Sequence, residues 1–287
     1  IQMENIVLPL NKTGIAEGTP GNTVFSERNE FKVNKLKRLV SVEIEVAGCK
    51  LPAHVYPATH KWQCSIVEDQ SLPRMGFEIN SAPANGDKLV EQMVDFDEAL
   101  LKAGAYISEK CGLHTHADAR DFNAYDVRRM IKLYAKLEAG LFSIVPPDRR
   151  KTKYATPCGE ALISKITSVA HPKTSKRRLI ETLYTDVDDF KKMKETKAID
   201  PLKRRRALNI HSWAFRKTFE LRLPNGSIEA EDMINWAILW GTIVDTSYKL
   251  GERMIDSMDN DSYRLLLELS PNQAITKWIQ RRKGEYR

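Results

Sequence analysis

Three short stretches of this chain set charged residues two apart, with one intervening residue: Glu43-Ile44-Glu45, His114-Thr115-His116 and Glu220-Leu221-Arg222. In a strand, residues i and i+2 point to one face; in a helix they do not. Each stretch, if extended, therefore offers two polar groups to one side of a sheet. Three such pairs on one sheet would build a single polar site. The competing reading is an ordinary half-exposed sheet, in which charged and apolar residues also alternate.

The flanking sequence supports strands. Val42, Ile44 and Val46 alternate with Ser41, Glu43 and Glu45, which predicts a strand over 39–46 that ends at Gly48 and Pro52. A second strand is expected at about 61–67, a third at Phe77-Glu78-Ile79-Asn80, and a short one at Tyr106-Ile107-Ser108. Leu208-Asn209-Ile210-His211 and 218–223 read as two more, with Asn225-Gly226 as a turn. Leu89, Met93, Phe96, Leu100 and Leu101 at helical spacing predict a helix over 86–104. Asp121 or Asn123 would cap another that runs to about Val145, before Pro146-Pro147. Residues 146–172 read as a long loop, 175–198 as the site of a polar helix, 229–250 as a long helix, and 273–282 as a short one. Strands broken by long helices, without regular βαβ alternation, predict an α+β fold with a largely antiparallel sheet and flanking helices. Residues 1–35, broken by Gly14, Gly18, Pro20 and Gly21, read as an irregular arm with one short strand at Ile6-Val7-Leu8. The expected division is an arm over 1–35, a catalytic domain over 36–250 and a helical tail over 251–287.

Composition narrows the classes. With 287 residues, 42% hydrophobic and 29% charged, the chain can bury a large core. No apolar run reaches the 18 or more residues of a membrane span, and Asn235 interrupts the longest, 233–244. The first residues lack a basic-then-apolar signal pattern. Cys49, Cys64, Cys111 and Cys158 are dispersed, without Cys-x-x-Cys spacing, and read as reduced thiols of a cytoplasmic protein. The net charge of +7 gathers at 149–151, 203–206 and 281–283, but no nucleic-acid module accompanies these clusters. They fit a nucleotide site or a solvated surface equally well.

The acids on or beside strands are Glu43, Glu45, Glu68, Asp69, Glu78 and Glu220. Two like charges about 4 Å apart repel by roughly 1 kcal/mol in water and several-fold more near a protein. Were these acids to converge, divalent cations would neutralise them. Carboxylate oxygens with one imidazole suit Mg²⁺ or Mn²⁺. Two such ions beside a second histidine and an arginine match the needs of phosphoryl transfer. Neither a P-loop nor a GxGxxG loop is present, so strands and metals would hold any nucleotide.

Taken in order, several motifs together resemble the amidoligase family of bacteria and phages. They are Val42-Glu43-Ile44-Glu45, Glu68-Asp69-Gln70-Ser71, Gly76-Phe77-Glu78-Ile79, Ser81-Ala82-Pro83, Cys111-Gly112-Leu113-His114-Thr115-His116, Leu208-Asn209 and Thr218-Phe219-Glu220-Leu221-Arg222. That family is grouped with the carboxylate–amine ligases related to glutamine synthetase and glutamate–cysteine ligase. The resemblance covers about residues 39–250. It implies a curved sheet like that of the glutamine synthetase catalytic domain and an ATP-dependent ligation through an acyl phosphate.

It also implies two Mg²⁺ or Mn²⁺ ions. Glu45, Glu78 and Asp69, with Glu68 the weaker choice, would bind one. Glu43, His114 and Glu220 would bind the other, which bridges the ATP phosphates. His116 and Arg222 would contact the phosphates, with Asn209 and Tyr154 also near the nucleotide. Arg149 or Arg150 would bind phosphate or a substrate carboxylate. His211 is a weaker candidate and reads more simply as a strand histidine.

The implied partners are a small-molecule or peptide carboxylate and an amine, in the cytoplasm of a bacterial or phage-infected cell. Membrane and nucleic acid are not among them, and a homo-oligomer is compatible. The chain departs from the family pattern at Gln70 and at the inserted Ala82; at Thr218, where glutamine synthetase carries an arginine, it has the threonine usual for the amidoligase group. Two rivals stand beside this reading: a zinc hydrolase built on His114 and His116, and an inactive structural protein that keeps the fold.

Overall fold

The computed structural model describes residues 38–69, 71–73, 75–183 and 205–287. The arm over 1–35, with its expected strand at Ile6-Val7-Leu8, lies outside these residues. So do Gln70, Lys203, Arg204 and the 184–198 part of the polar helix.

Alternation of Val40, Val42, Ile44 and Val46 with polar residues forms β1 (Val40–Val46), the third strand of a six-stranded sheet. After it comes α1 (Tyr56–Trp62), with Pro57 in its first turn, where a missing N–H costs nothing. Gln63, left-handed at φ 54°, ends the helix and starts the chain into β2 (Ser65–Glu68). The strand expected from Lys61 is thus shorter, because Lys61 and Trp62 finish a helix. Then come β3 (Phe77–Asn80), α2 (Gly86–Lys102) and β4 (Leu113–Asp118). Tyr106 makes only a single bridge, to Gly48, rather than a strand. The inserted Ala82 is held on both sides of its backbone: Gln92 Nε2 donates to its carbonyl and Gln92 Oε1 accepts from its N–H.

A capping box opens α3 (Ala124–Phe142): the Asn123 side chain accepts from the Tyr125 and Asp126 N–H groups, and Asp126 accepts from that of Asn123. The expected 146–172 loop holds α4 (Pro147–Arg150) and α5 (Glu160–Val169), where Ile166 is buried. Next are α6 (Lys176–Leu183), β5 (Leu208–Asn209) and α7 (His211–Arg216). His211 therefore begins a helix and is not a strand histidine. The chain continues through β6 (Thr218–Leu221) and α8 (Ala230–Lys249) to α9 (Glu252–Ser257), α10 (Ser262–Glu268) and α11 (Gln273–Glu285).

The sheet order is β2-β3-β1-β4-β6-β5, with every paired strand antiparallel, and the fold is α+β. Its apolar face carries Val42, Ile44, Ile79, Leu113, Phe219 and Leu221, all fully buried. Helix α8 packs on this face over β4 and β1, between α2 and α3. Trp240 on α8 donates its indole N–H to the Phe219 carbonyl at 2.9 Å. Each such large side chain contributes about 1.5–3 kcal/mol by leaving water. A one-residue slip in register would exchange the two faces and drive carboxylates into this core. The apolar face thereby fixes where the polar face points.

Helices α10 and α11 send Leu265, Leu266, Ile275, Trp278 and Ile279 into the same core. No helix among the described residues is long and apolar enough to cross a membrane.

Candidate active site

The pairs that share a face along each strand also meet across strands. Glu43 lies opposite His114, Glu45 opposite Glu78, His116 opposite Glu220, and Glu220 opposite Asn209. Side chains directly opposite in an antiparallel pair start about 4.5–5.5 Å apart, close enough to touch. Register alone therefore gathers four carboxylates and two imidazoles on one face of four strands, with Asn209 on a fifth beside Glu220.

All but Glu78 of these six side chains are buried. His114 is central: Nδ1 stands 3.1 Å from Glu43 Oε2 and 3.8 Å from Glu220 Oε1, and Nε2 stands 3.5 Å from Glu45 Oε1. His116 Nε2 lies 3.0 Å from Glu43 Oε1, and its Nδ1 lies 2.9 Å from the Thr218 hydroxyl. Thr218 in turn meets the Ser212 hydroxyl at 2.9 Å. Where the family comparison with glutamine synthetase pointed to a missing arginine, Thr218 orients His116.

Three arginines border the cluster. Arg222 donates to Glu220 Oε1 and contacts the Tyr154 carbonyl at 3.4 Å, so Tyr154 reaches the site through its backbone. Asn209 donates to the other Glu220 oxygen at 2.8 Å. Arg149 is buried and donates to the Leu223 and Arg222 carbonyls at 3.0 and 2.7 Å. Gly112 makes room for it and donates its N–H to Glu45. Arg150 points elsewhere: it donates to the Val145 carbonyl at 3.0 Å and to that of Tyr286. The third arginine, Arg216, escaped the sequence reading. Its Nη1 lies 2.8 Å from Glu43 Oε1, and its side chain is 48% exposed. Lying at the end of a short helix, it has no i, i+2 partner to betray it.

The electrostatics are uneven. Burial pushes the Glu43 carboxyl upward, but His116, His114 and Arg216 outweigh it and hold it well below the ordinary range. Burial likewise opposes ionisation of Glu220, yet Arg222 and the two histidines bring it down to about 2. Glu78 moves the other way. Burial, then the charges of Glu43 and Glu45, lift it well above 4.5 despite a 2.8 Å bond from Asn80. Burial lowers Arg149 to about 10, against the pull of Glu45. Four carboxyl groups thus stand among three arginines, and Glu78 is the one whose ionisation its neighbours oppose.

Among the described residues, two groups bring ligand atoms within 4.8 Å of one another: Glu43, His114 and Glu220, and Glu45, Glu78 and His114. A neutral imidazole has one acceptor nitrogen, so His114 serves one group as ligand. With Nδ1 toward Glu43 and Glu220, its Nε2–H faces Glu45, the usual support a carboxylate gives a metal-binding histidine. Glu45 and Glu78 would then need another donor. Asp69 is the candidate, since it raises the Glu78 carboxyl from nearby. Glu68 sits opposite Phe77, on the other face of β2. Hard oxygen donors with one imidazole fit Mg²⁺ or Mn²⁺. His116 joins neither group, which leaves a zinc site on His114 and His116 without its second nitrogen.

A search of curated proteins finds no match. A family model described as "Putative amidoligase enzyme" matches residues 29–244, well over half of the chain, and spans every strand of the sheet. The chain belongs to this amidoligase family, whose activity is amide-bond formation by a ligase.

Proposed function

We propose that the chain is an ATP- and Mg²⁺-dependent carboxylate–amine ligase that works through an acyl phosphate. The observation that carries this reading is the pair of carboxylate groups that share His114, in one of which burial, with Glu43 and Glu45 crowding it, raises the Glu78 carboxyl. Glu43, His114 and Glu220 would hold one ion, and Glu45, Glu78 and Asp69 the other. When bound, the ions supply positive charge to the phosphate oxygens of ATP.

The chain's own groups do the rest. Arg222 donates to Glu220 and His116 meets Glu43, so each adjoins a member of the first group and would contact the phosphate oxygens. Asn209 and Thr218 fix their partners, Glu220 and His116, in one orientation. Arg149, locked onto two backbone carbonyls, gives a fixed positive charge behind Glu45. A substrate carboxylate in the site attacks the γ-phosphorus, ADP leaves, and an amine displaces phosphate from the acyl phosphate. Positioning and charge carry the reaction, so it needs no covalent protein nucleophile. The buried free thiols Cys49, Cys64, Cys111 and Cys158 agree with a reducing, cytoplasmic setting. The substrates are small-molecule or peptide carboxylates and amines.

The deciding experiment is a screen for ADP release with Mg²⁺-ATP and pairs of amino acids, peptidoglycan peptides or polyamines. Calorimetry of ATP with and without Mg²⁺ runs beside it. The reading requires Mg²⁺-dependent ATP binding by the wild type and its loss in Glu220→Ala; absence of nucleotide binding by the wild type refutes it.

A further inference from the structure

Three side chains hydrogen-bond to Glu43. Its Oε1 accepts from His116 Nε2 at 3.0 Å and from Arg216 Nη1 at 2.8 Å, and its Oε2 faces His114 Nδ1 at 3.1 Å. Both oxygens are therefore engaged in the metal-free protein. Of these partners, the two histidines are fixed on β4, which is central in the sheet. Arg216 is different. It ends the six-residue α7, which Lys217 closes in a left-handed conformation at φ 62°, and its guanidinium reaches Glu43 from there.

The three arginines divide by their freedom. Arg149 is buried and tied to two carbonyls, and Arg222 is mostly buried between Glu220 and the Tyr154 carbonyl. Arg216 keeps 48% of its side chain in solvent, and Glu43 is its polar partner among the described residues. Glu43 is also one of the three ligands of the first candidate group. A divalent cation entering that group competes for the same carboxylate and repels the guanidinium beside it. The long side chain is already half in solvent, so once released from Glu43 it is free to meet an anion that approaches the group from solvent.

We propose that Arg216 is a cation-displaced hook for phosphate: it holds Glu43 while the metal group is empty and, once released by a divalent cation, pairs with a phosphoryl oxygen of the bound ligand. A guanidinium suits that second task, because its planar fork matches two phosphate oxygens. This inference rests on the metal reading of the Glu43, His114 and Glu220 group. It adds a coupling in which cation and phosphate favour each other's binding, and linkage makes that coupling reciprocal.

The test uses the full chain, Mn²⁺ alone followed by Mn²⁺ with pyrophosphate, and the variants Arg216→Gln and Arg216→Lys. Electron paramagnetic resonance of free Mn²⁺ reads the first binding, calorimetry the second, and circular dichroism the fold. Arg216→Gln should bind Mn²⁺ tighter, by about two- to fivefold, since a half-exposed guanidinium that competes for Glu43 is gone. The Mn²⁺-loaded variant should bind pyrophosphate about tenfold more weakly, the effect of losing one charged hydrogen bond. Arg216→Lys should restore part of the pyrophosphate affinity. A merely structural arginine would weaken both bindings together. Unchanged or weaker Mn²⁺ binding in Arg216→Gln, or unchanged pyrophosphate binding, overturns the inference alone. Failure of the wild type and both variants to bind Mn²⁺ overturns the metal reading and this inference with it.

Discussion

A Cβ atom placed on Gly112 would lie 2.6 Å from Arg149 Nη2 and 2.7 Å from His114 Nε2. Gly112 is thus the gap through which a buried arginine and the central histidine approach one backbone, whose N–H also binds Glu45. Its substitution tests whether the site is built to that tolerance. Neither neighbour is a flexible tip: Arg149 is fastened to two carbonyls and His114 is on a central strand. Gly112→Ala should cost about 1–3 kcal/mol by overpacking, seen as a lower Tm. It should also weaken Mn²⁺ binding, because relief requires His114 or Arg149 to move. A variant with wild-type Tm and wild-type Mn²⁺ affinity would contradict this account.

Glu78 and Glu220 give opposite pH dependences. The Glu78 carboxyl is raised, so above 4.5 the folded protein holds a proton that the unfolded chain has lost. Metal-free stability therefore falls as pH rises through that window, up to the folded pKa. Glu220 is lowered to about 2; its contribution is complete above 4.5 and disappears as pH falls toward 2. In a chelator, Tm should decline from its mildly acidic maximum as pH rises, and Glu78→Gln should flatten that decline. Mn²⁺ must displace the Glu78 proton, so wild-type affinity should rise with pH and binding should release protons. Calorimetry in buffers of different ionisation enthalpy counts them, and Glu78→Gln should release fewer. Equal proton release by both proteins would exclude this role for Glu78.

The sheet and much of its site were legible because both rest on period two. Once β1, β4 and β6 are strands, alternation alone puts Glu43, Glu45, His114, His116, Glu220 and Arg222 on the face opposite Ile44, Leu113 and Leu221. What alternation cannot carry is direction away from a strand. Arg149 and Arg150 are adjacent on a four-residue helix, and only the chain's path decides that one backs Glu45 while the other reaches Tyr286. Arg216 enters through a left-handed turn at Lys217, a conformation with no glycine to announce it. The helix α5 was hidden behind Cys158-Gly159, which reads as a loop although Leu162, Ile163 and Ile166 follow at helical spacing.

Residues 251–287 lie beyond the span of the family resemblance, yet they complete the core. The Trp278 ring meets Trp236 edge-on at 5.1 Å, and its N–H donates to Asp232 at 2.9 Å. The Arg282 guanidinium lies over both rings and donates to the Ile144 carbonyl at 2.9 Å. Asn225, which accepts from Arg282, bridges to Gly112. Trp278→Ala should cost about 3–5 kcal/mol, a fall of roughly 10 °C in Tm for a chain of this size. A chain truncated after residue 250 should fail to give a cooperative melt. A sharp wild-type-like transition from the truncated chain would mean that the tail only decorates the fold.

Glu68 and Asp69 are neighbours with opposite expected effects, and the register of β2 says why. Val67 pairs with Glu78 and Glu68 with Phe77, so Glu68 lies on the face away from Glu78, while Asp69, just past the strand, is near enough to raise the Glu78 carboxyl. The Asp69 Oδ1 atom also accepts from the Ser71 N–H at 2.7 Å, which holds the carboxylate in place at the strand end. If Asp69 completes the Glu45 and Glu78 group, Asp69→Asn removes a charged oxygen from one ion site and leaves Glu43, His114 and Glu220 untouched. Mn²⁺ titration of the wild type should show two sites, that of Asp69→Asn one site of unchanged affinity and a second weakened about tenfold or more, as loss of a charged ligand implies. Glu68→Gln should leave both as in the wild type. The reverse pattern would mean that β2 is displaced by one residue in the metal-bound protein, since only such a slip exchanges the two side chains.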